Sequence, residues 1–239
     1  KRKIKSKIFY EKNKVTTRKR RFVENAYNKK ISEVYFMDDN LLGSQNKKKI
    51  ITYLKKETRK FDTVILIDYG HGFIDKDIYN VLKQKAKFLA INCQTNSANL
   101  GFNLITKYPV SDFICIDEPE LRLAASNNIS EIQEIVKNQI TKKIKCKNIT
   151  ITRGKNGSFS YLNNTVLNTP ALISDKVIDT IGAGDVFLVI TSLLYSTKSE
   201  QLVTNIIGNI AGALKVDILG HSKSISRSNF YAVLNHVLK

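Results

Sequence analysis

The sequence is poor in cysteine and has no long apolar run. Its three cysteines, Cys93, Cys115 and Cys146, are odd in number and far apart among 239 residues, which excludes a disulfide scaffold and is typical of a reducing cytosol. No apolar run approaches the ~18 residues of a membrane span, and no apolar stretch follows the first residues as in a signal peptide. Internal repeats and low-complexity linkers are missing too. These absences predict a cytoplasmic globular protein without a membrane partner. The length of 239 residues is enough for one large α/β domain or two small ones.

Negative charge is scarce, and the formal net charge is +18. The excess is concentrated in residues 1–60, which hold 20 Lys and Arg against 6 Asp and Glu, whereas residues 61–239 hold 19 against 15. A basic segment can follow a phosphate backbone or attract an anionic small molecule. A solvated surface in a protein rich in Lys, Asn and Ile explains the same composition. No RNA-binding signature or zinc-knuckle spacing accompanies the charge, so we do not expect a nucleic-acid partner.

From residue 61 onward, short apolar runs alternate with stretches of helical periodicity. The runs predict strands at 63–67, 88–91, 113–116 and 149–151, and the periodicity predicts helices at 75–85, 129–144, 183–195, 200–215 and 227–238. Asn163 and Asn164 separate residues 159–161 from 165–167 and predict a hairpin. This alternation predicts an α/β fold with a doubly wound, mainly parallel sheet flanked by helices.

Residues 1–60 follow a different pattern. β-favouring residues at 7–10, 20–23 and 31–36 predict short antiparallel strands that form a small β flap, or lid, beside the main domain. We therefore divide the chain into basic β segments at 1–60 and an α/β nucleotide-binding core at 61–239.

Four polar residues, Asp68, Asn92, Asp117 and Thr152, each follow directly after a predicted strand. In a parallel sheet all four lie at the carboxyl edge, which is where open α/β folds bind ligands. The sequence therefore predicts a site at this edge.

Residues 179–185 read Asp-Thr-Ile-Gly-Ala-Gly-Asp and lead directly into an apolar helix. Gly182 and Gly184 allow a tight turn, and free amides at the helix start form an anion-binding nest. A carboxylate beside such a nest, here Asp185, suits phosphoryl transfer to a hydroxyl, because it accepts the proton while the nest holds the developing charge. In the alternative interpretation, Asp185 only stabilises the helix start.

A second glycine loop and an acidic cluster accompany this stretch. Thr152-Arg-Gly154-Lys-Asn-Gly157 follows a strand and suits a nucleotide. Asp117 and Glu120, three residues apart, either bind Mg²⁺ through water or cap a helix, and both roles are compatible.

Together these motifs resemble the ribokinase-like (PfkB) carbohydrate kinases, whose signature Asp-Thr-x-Gly-Ala-Gly-Asp matches residues 179–185. The loop at 152–157, the Asx-Glu-x-Glu segment at 117–120 and Ala-Gly-Ala-Leu at 211–214 agree with it. Within the family the sequence is most similar to the heptose phosphate kinase branch of ADP-heptose synthesis. There an Asp-Tyr-x-Lys-Gly turn resembles residues 68–72, and a Thr-x-x-Lys-x-Arg-Phe strand resembles residues 16–22. The resemblance extends over essentially the whole chain.

The resemblance implies transfer of the ATP γ-phosphate to a sugar hydroxyl, with ATP, Mg²⁺ and a monovalent cation as cofactors. Asp185 would be the base, and the amides of Gly182, Ala183 and Gly184 the anion hole. The remaining implied positions are Thr152, Gly154, Gly157, Asn209 and Gly212 at the nucleotide, Glu120 and Asp117 at the metal, and Lys19, Arg21, Asp68 and Asn92 at the sugar or sugar-phosphate substrate. A homodimer through the β flap and a fused nucleotidyltransferase domain are further implications.

The sequence also departs from the family pattern. Asn92 stands where close relatives carry Asp before Pro, Asp117 where Asn is usual, and His71 where Lys is usual. The family's first Rossmann portion, with its paired-glycine sugar-binding motif, has no counterpart here, so we expect part of the sugar pocket to be absent. Two alternatives therefore accompany the kinase hypothesis. One is a catalytically weak pseudokinase or regulatory domain of a fused nucleotidyltransferase-kinase, and the other is a basic nucleic-acid-binding protein.

Overall fold

The structure is a computed structural model that describes residues 4–11, 14–24, 29–38, 42–97, 99–172 and 177–237. The strands are β1 (Arg18–Glu24), β2 (Lys29–Phe36), β3 (Val64–Asp68), β4 (Leu89–Cys93), β5 (Phe113–Asp117), β6 (Asn148–Thr152), β7 (Ser158–Leu162) and β8 (Thr165–Thr169). The helices are α1 (Ser44–Glu57), α2 (Lys76–Lys85), α3 (Glu118–Ala125), α4 (Ile132–Ile135), α5 (Thr141–Lys143), α6 (Ala183–Ser196), α7 (Gln201–Val216) and α8 (Arg227–Val237). A π-helical turn, Val136–Ile140, joins α4 to α5.

The main sheet has six strands in the order β3-β4-β5-β6-β7-β8. Strands β3 to β6 are parallel, and β7 and β8 continue the sheet antiparallel. The strands predicted from residue 61 onward and the hairpin at Asn163 and Asn164 are confirmed, and both asparagines have the positive φ that such a turn requires. The fold is the predicted mainly parallel α/β sheet flanked by helices.

Alternate residues of the sheet strands face two apolar layers. On β5, Ile114 and Ile116 pack in the cluster that includes residues of α1, α2 and α3. Phe113 and Cys115 point the other way and pack against Phe187 of α6. Because each face of β5 is covered, its first four residues are buried and only its final carboxylate reaches the edge.

The first sixty residues agree only partly with the prediction. Strands β1 and β2 form an antiparallel two-stranded ribbon, as expected for a flap. The strand predicted at 7–10 is wrong, because that segment contacts helix α1 and pairs with no strand among the described residues. The ring of Phe9 lies 5.7 Å from that of Tyr53 on α1, and the carbonyl of Tyr10 accepts from Asn46 Nδ2 at 2.6 Å.

Helix α1 was missed within the same segment. Its apolar residues Ile50, Ile51 and Leu54 have helical spacing but stand among lysines, which hides the periodicity. Ile50 is only 2% exposed and joins the core beside α2. The division of the chain at residue 60 stays a prediction.

None of the helices in the described part of the chain is both long and apolar enough to cross a membrane.

Candidate active site

The polar residues at the ends of β3 to β6 meet at the carboxyl edge of the sheet. The ladder puts Asn92 opposite Ile67, and Asp117 opposite Thr152. Asn92 is 8% exposed, and its Nδ2 donates to the carbonyl of Cys115 at 2.8 Å. Its Oδ1 is buried and has no hydrogen-bond partner among the described residues. Asn92 therefore braces β4 against β5, with one acceptor left over.

Asp68 is enclosed at this edge rather than presented to solvent. It is 3% exposed, forms an ion pair with Lys107 and accepts from Tyr108 Oη at 2.7 Å and from the Gly70 amide at 2.9 Å. Burial raises the pKa of the nearby Cys93 thiol well above its usual range, so this cysteine is inert. Through these contacts Asp68 connects the loop after β3 to the segment before β5.

The glycine turn opens α6 with free amides. Gly182 has φ +80° and ψ 2°, a left-handed conformation that favours glycine. The first helical hydrogen bond runs from the Val186 amide to the Gly182 carbonyl at 3.1 Å. The Ala183 amide donates to the Thr180 carbonyl at 3.3 Å, whereas the Gly184 amide has no acceptor among the described residues. This geometry gives an anion-binding helix start.

Asp185 lies in the first turn of α6, half-buried beside the end of β4. Gln94 Nε2 donates to its Oδ1 at 3.2 Å. The main-chain amide of Gln94 donates to the Asp68 carbonyl at 2.9 Å, which holds Gln94 in place. Burial and then the negative charge of Asp185 raise the pKa of the Tyr69 hydroxyl. The second carboxylate oxygen, Oδ2, has no hydrogen-bond partner among the residues described. Asp185 thus has one oxygen held and one available.

Glu120 and Asp117 form a capping box at the start of α3. Glu120 accepts from the Asp117 and Thr95 amides at 3.0 Å each, and Asp117 accepts from the Glu120 amide at 2.8 Å. Burial, followed by the charge of Asp117, raises the pKa of Glu120 to about 7, and Asp185 adds to this effect. Negative charge is therefore crowded at this corner of the site.

These carboxylates fit a Mg²⁺ ion held indirectly. Among the described residues, no group of three or more His, Cys, Asp or Glu is arranged to bind a metal. Each oxygen of Glu120 accepts one amide hydrogen and keeps a second lone pair for water. Mg²⁺ keeps several waters and takes phosphate oxygens as ligands, so Glu120 and Asp117 would bind its waters.

A cavity of about 1020 Å³ adjoins this corner, between α3, the loop after β6, and helices α6 and α7. Its volume suits a nucleotide. Eight of the predicted site residues line it, namely Asp117, Thr152, Gly154, Gly157, Ala183, Gly184, Asn209 and Gly212. Gly182, Asp185 and Glu120 are not part of its lining, and Asp185 lies in the same helical turn as Gly184.

The glycines that line the cavity differ in the space that a Cβ would find at each position. Gly154, at φ +53°, and Gly212 both have open space where a Cβ would stand, so neither position is filled by protein. A Cβ on Gly157, at φ +79°, would overlap the carbonyl of Thr169. Asn209 donates through Nδ2 to the Pro170 carbonyl at 3.0 Å. Gly157 and Asn209 therefore shape the wall, while Gly154 and Gly212 leave room for a ligand.

Sequence reasoning missed several residues of the site. Arg122, Arg153 and Lys155 bring positive charge to the cavity lining, and Arg122 Nη2 donates to Glu118 at 2.7 Å. Arg153 and Lys155 stand inside the glycine loop, where their charge was a visible indication of anion binding. Gln94, which holds Asp185, had no such indication because glutamine carries no charge and belongs to no motif.

Lys19 and Arg21 lie on the β1–β2 ribbon, away from the cavity lining. Lys19 Nζ stands 4.7 Å from the centre of the Tyr35 ring, and Arg21 Nε contacts Glu33 Oε2 at 2.6 Å. Hydrogen bonding from Tyr35 and Arg21 holds the pKa of Glu33 at about 2, despite its burial. Tyr35 Oη lies 3.3 Å from Ser97 Oγ, and this hydrogen bond connects the same face of the ribbon to the loop after β4.

A model of the pfkB family of carbohydrate kinases matches residues 36–217 of the chain. The bifunctional protein HldE of Aliarcobacter butzleri is 23% identical over 223 residues, which cover 90% of this chain and 44% of HldE. The chain therefore spans less than half the length of this relative.

Two solved structures have a similar fold. Phosphofructokinase-2 from Escherichia coli in complex with potassium superimposes with a TM-score of 0.70 at 11% identity, over 87% of this chain and 67% of that one. Arabidopsis thaliana ribokinase complexed with ribose and ATP gives a TM-score of 0.63 at 14% identity, over 85% and 65% of the two chains.

Proposed function

This chain belongs to the pfkB family of carbohydrate kinases, and we propose that it transfers the γ-phosphate of ATP to a hydroxyl of a sugar or sugar phosphate. The observation that carries the proposal is the juxtaposition of Asp185 with the free amides that open α6. Neither group alone implies a reaction. Together they provide a proton acceptor and an anion site within one helical turn.

Asp185 is the proposed general base. Its Oδ2 takes the proton of the acceptor hydroxyl as the oxygen attacks the γ-phosphorus and the bond to ADP breaks. Gln94 holds Oδ1 at 3.2 Å, so the carboxylate is oriented before the substrate arrives. The amides of Gly182, Ala183 and Gly184 stabilise the negative charge that develops on the phosphoryl group, and Ala183 exchanges its long bond to Thr180 for this contact.

The cavity is the proposed ATP site. Thr152, Gly154, Gly157, Asn209 and Gly212 line it, and apolar side chains such as Leu172, Val177 and Val216 suit an adenine ring. Arg122, Arg153 and Lys155 add the positive charge that phosphates require. Bound Mg²⁺ would neutralise phosphate charge, with Glu120 and Asp117 binding its waters.

The sugar that accepts the phosphate is proposed to contact charged residues of the ribbon and polar residues beside Asp185. Lys19 and Arg21 supply charge that suits a sugar phosphate, such as the heptose phosphate that the resemblance implies. Asn92 and Asp68 stay proposed substrate residues, and each also has a hydrogen bond within the protein, to the Cys115 carbonyl and from Tyr108 Oη respectively. Gln94 and Tyr69, next to Asp185, are better candidates for contact with the sugar.

Two further proposals concern assembly. The ribbon face opposite Lys19 and Arg21 carries Phe22, Val34 and Phe36, which are 48%, 42% and 40% exposed, and this face suits a homodimer contact. The second proposal is a nucleotidyltransferase fused to the kinase, which the printed name of the bifunctional relative supports.

A catalytically weak member of the same fold is the second candidate function. The observation that favours it is Asn92, an uncharged side chain where close relatives carry aspartate, with its amide already bonded within the sheet. A weak kinase would bind ATP but turn over slowly with every acceptor.

A titration and a turnover assay distinguish the two candidates. Calorimetry with ATP and Mg²⁺ measures binding, and a coupled assay measures ADP release over matched pairs of neutral and phosphorylated sugars. The proposal predicts ATP binding together with acceptor-dependent ADP release, strongest with a phosphorylated sugar. ATP binding without ADP release from any pair would favour the weak kinase.

A further inference from the structure

Lys215 is a buried cation that none of the preceding roles uses. It lies in the last turn of α7 and is 5% exposed. Burying an ammonium group is costly unless its hydrogens find acceptors. The Lys215 ammonium group therefore requires hydrogen-bond acceptors within the fold.

The acceptors are main-chain carbonyls. Lys215 Nζ donates to the carbonyl of Gly220 at 2.8 Å and to that of Ile218 at 3.3 Å. The Gly220 amide in turn donates to Asp179 Oδ2 at 2.8 Å, and Asp179 Oδ1 accepts from the Ile181 amide at 3.0 Å. The ammonium thus closes the loop after α7 onto the residues that begin the glycine turn.

The ammonium also lies directly against that turn. A Cβ built on Gly182 would stand 3.2 Å from Lys215 Cε and 3.8 Å from Nζ. Gly182 is the residue whose left-handed conformation opens α6 and exposes the amides of the anion nest. Because the Lys215 ammonium is buried and close to Gly182, its charge adds to the positive electrostatic potential at the start of α6.

We propose that Lys215 is a positioning residue for phosphoryl transfer, a resident cation held by carbonyls that fixes the Gly182 turn and reinforces its anion nest. The inference rests on the proposed function. It also bears on the monovalent cation that the family resemblance implies. Carbonyl oxygens are the ligands that potassium takes, but at Ile218 and Gly220 they already accept from Lys215. A potassium ion does not fit here while the lysine is present.

The test compares cations at equal ionic strength in the wild type, Lys215→Ala and Lys223→Ala. Lys223 is exposed in the loop after α7, so its removal controls for loss of one charge nearby. Each protein is measured in potassium, ammonium and tetramethylammonium chloride. The readouts are the thermal unfolding midpoint and the kcat for an accepted sugar.

We expect the wild type and Lys223→Ala to give the same midpoint and kcat in all three salts. Lys215→Ala should lose at least about tenfold in kcat in tetramethylammonium. Potassium or ammonium should restore part of the rate and raise the midpoint, because these ions bind the vacated carbonyls of the folded state only.

Three results would overturn the inference: potassium stimulation of the wild type, a wild-type rate for Lys215→Ala in tetramethylammonium, or no response of that variant to potassium and ammonium. If Lys215→Ala fails to fold, the salt response of the wild type decides alone. The midpoints need no turnover. Absence of kinase activity in every protein would therefore refute the proposed function while still testing the cation site.

Discussion

The carboxyl edge of the sheet and the β1–β2 ribbon both carry predicted substrate-binding residues, but they are held in different ways. At the edge, Asp185 and the glycine turn are positioned by a helix that packs on buried strands. In the ribbon, every residue of β1 is exposed, and Arg21 pairs with Glu33 while Lys19 stacks on Tyr35. The edge residues are therefore fixed by the packed core, whereas the ribbon residues are held mainly by pairing between β1 and β2.

This difference separates two kinds of expected effect. Substitutions at the edge should change the chemical step or nucleotide binding, because the framework keeps the remaining groups in place. Substitutions in the ribbon should change which acceptor binds, because a ligand phosphate there has to compete with partners that the side chains already have.

The largest expected effect is at the proposed base. Asp185→Asn keeps the shape of the side chain but cannot accept the proton, so we expect kcat to fall by at least ~10²-fold. ATP affinity, measured by calorimetry, should change little. The exposed carboxylate of Asp62, replaced in Asp62→Asn, is the matched control and should leave turnover unchanged. Near-normal turnover in Asp185→Asn would remove this residue from the base role.

The second prediction concerns pH and the crowded carboxylates. The folded pKa of Glu120, about 7, is above the ordinary value of 4.5, so the folded state binds the extra proton between these values. The associated stability is present below pH 4.5 and is lost as pH rises to 7, by up to about 3 kcal/mol. Glu120→Gln, neutral throughout, should flatten this decline.

Denaturant unfolding at pH 5 and pH 8 measures the effect. Glu134→Gln, at an exposed position of α4, is the control and should keep the pH dependence of the wild type. Equal pH dependence in Glu120→Gln and the wild type would show that Glu120 ionises normally in the folded protein.

Two glycines on α7, Gly208 and Gly212, have different surroundings and should respond differently to substitution by alanine. A Cβ on Gly208 would lie 2.7 Å from Phe187 and Thr191, whereas one on Gly212 meets open space in the cavity lining. Gly208→Ala should therefore destabilise the fold by about 1–3 kcal/mol through overpacking. Gly212→Ala should stabilise α7 by up to about 1 kcal/mol.

The same pair is then compared for nucleotide binding. Gly212→Ala adds a methyl group to the cavity and should weaken ATP binding several-fold, while folded Gly208→Ala should bind as the wild type does. Unfolding curves and calorimetric titrations give both quantities. Unchanged ATP affinity in Gly212→Ala would mean that the nucleotide does not approach this helix.

The smallest expected effect is in the ribbon. Arg21→Ala should raise the KM for a phosphorylated acceptor by about tenfold, the value of one charge-assisted hydrogen bond, and leave the KM for the matching neutral sugar unchanged. Arg20→Ala is the matched control, because Arg20 lies on the other face, 5.7 Å from the Phe36 ring. Equal effects of Arg21→Ala on both acceptors would limit the ribbon to a structural role.

The same contrast explains what the sequence could predict. Strands β4 and β5 are apolar runs buried on both faces, and such runs are recognisable without tertiary information. The glycine turn at Gly182 was recognisable because its backbone conformation restricts the residue type. These local constraints were sufficient to predict the sheet, the helix start and eight residues of the cavity lining.

What the sequence did not reveal depends on distant partners. Gln94 matters through Asp185, 91 residues away, and Lys215 through the Gly182 turn, neither of which a local pattern encodes. The contacts of Asp68 with Lys107 and Tyr108 also come from a distant segment, and its role at the sugar stays a prediction. Helix α1 was hidden because its few apolar positions stand among lysines, and only packing on α2 reveals them.

Phosphoryl transfer at the glycine turn is tested by following the γ-phosphate of ATP. The wild type is incubated with Mg²⁺ and ATP labelled in the γ-phosphate, with an acceptor that supports ADP release. We expect one labelled phosphate on the acceptor for each ADP formed, and loss of both products in Asp185→Asn. Label found only in free phosphate, or bound ATP that yields no ADP, would contradict it.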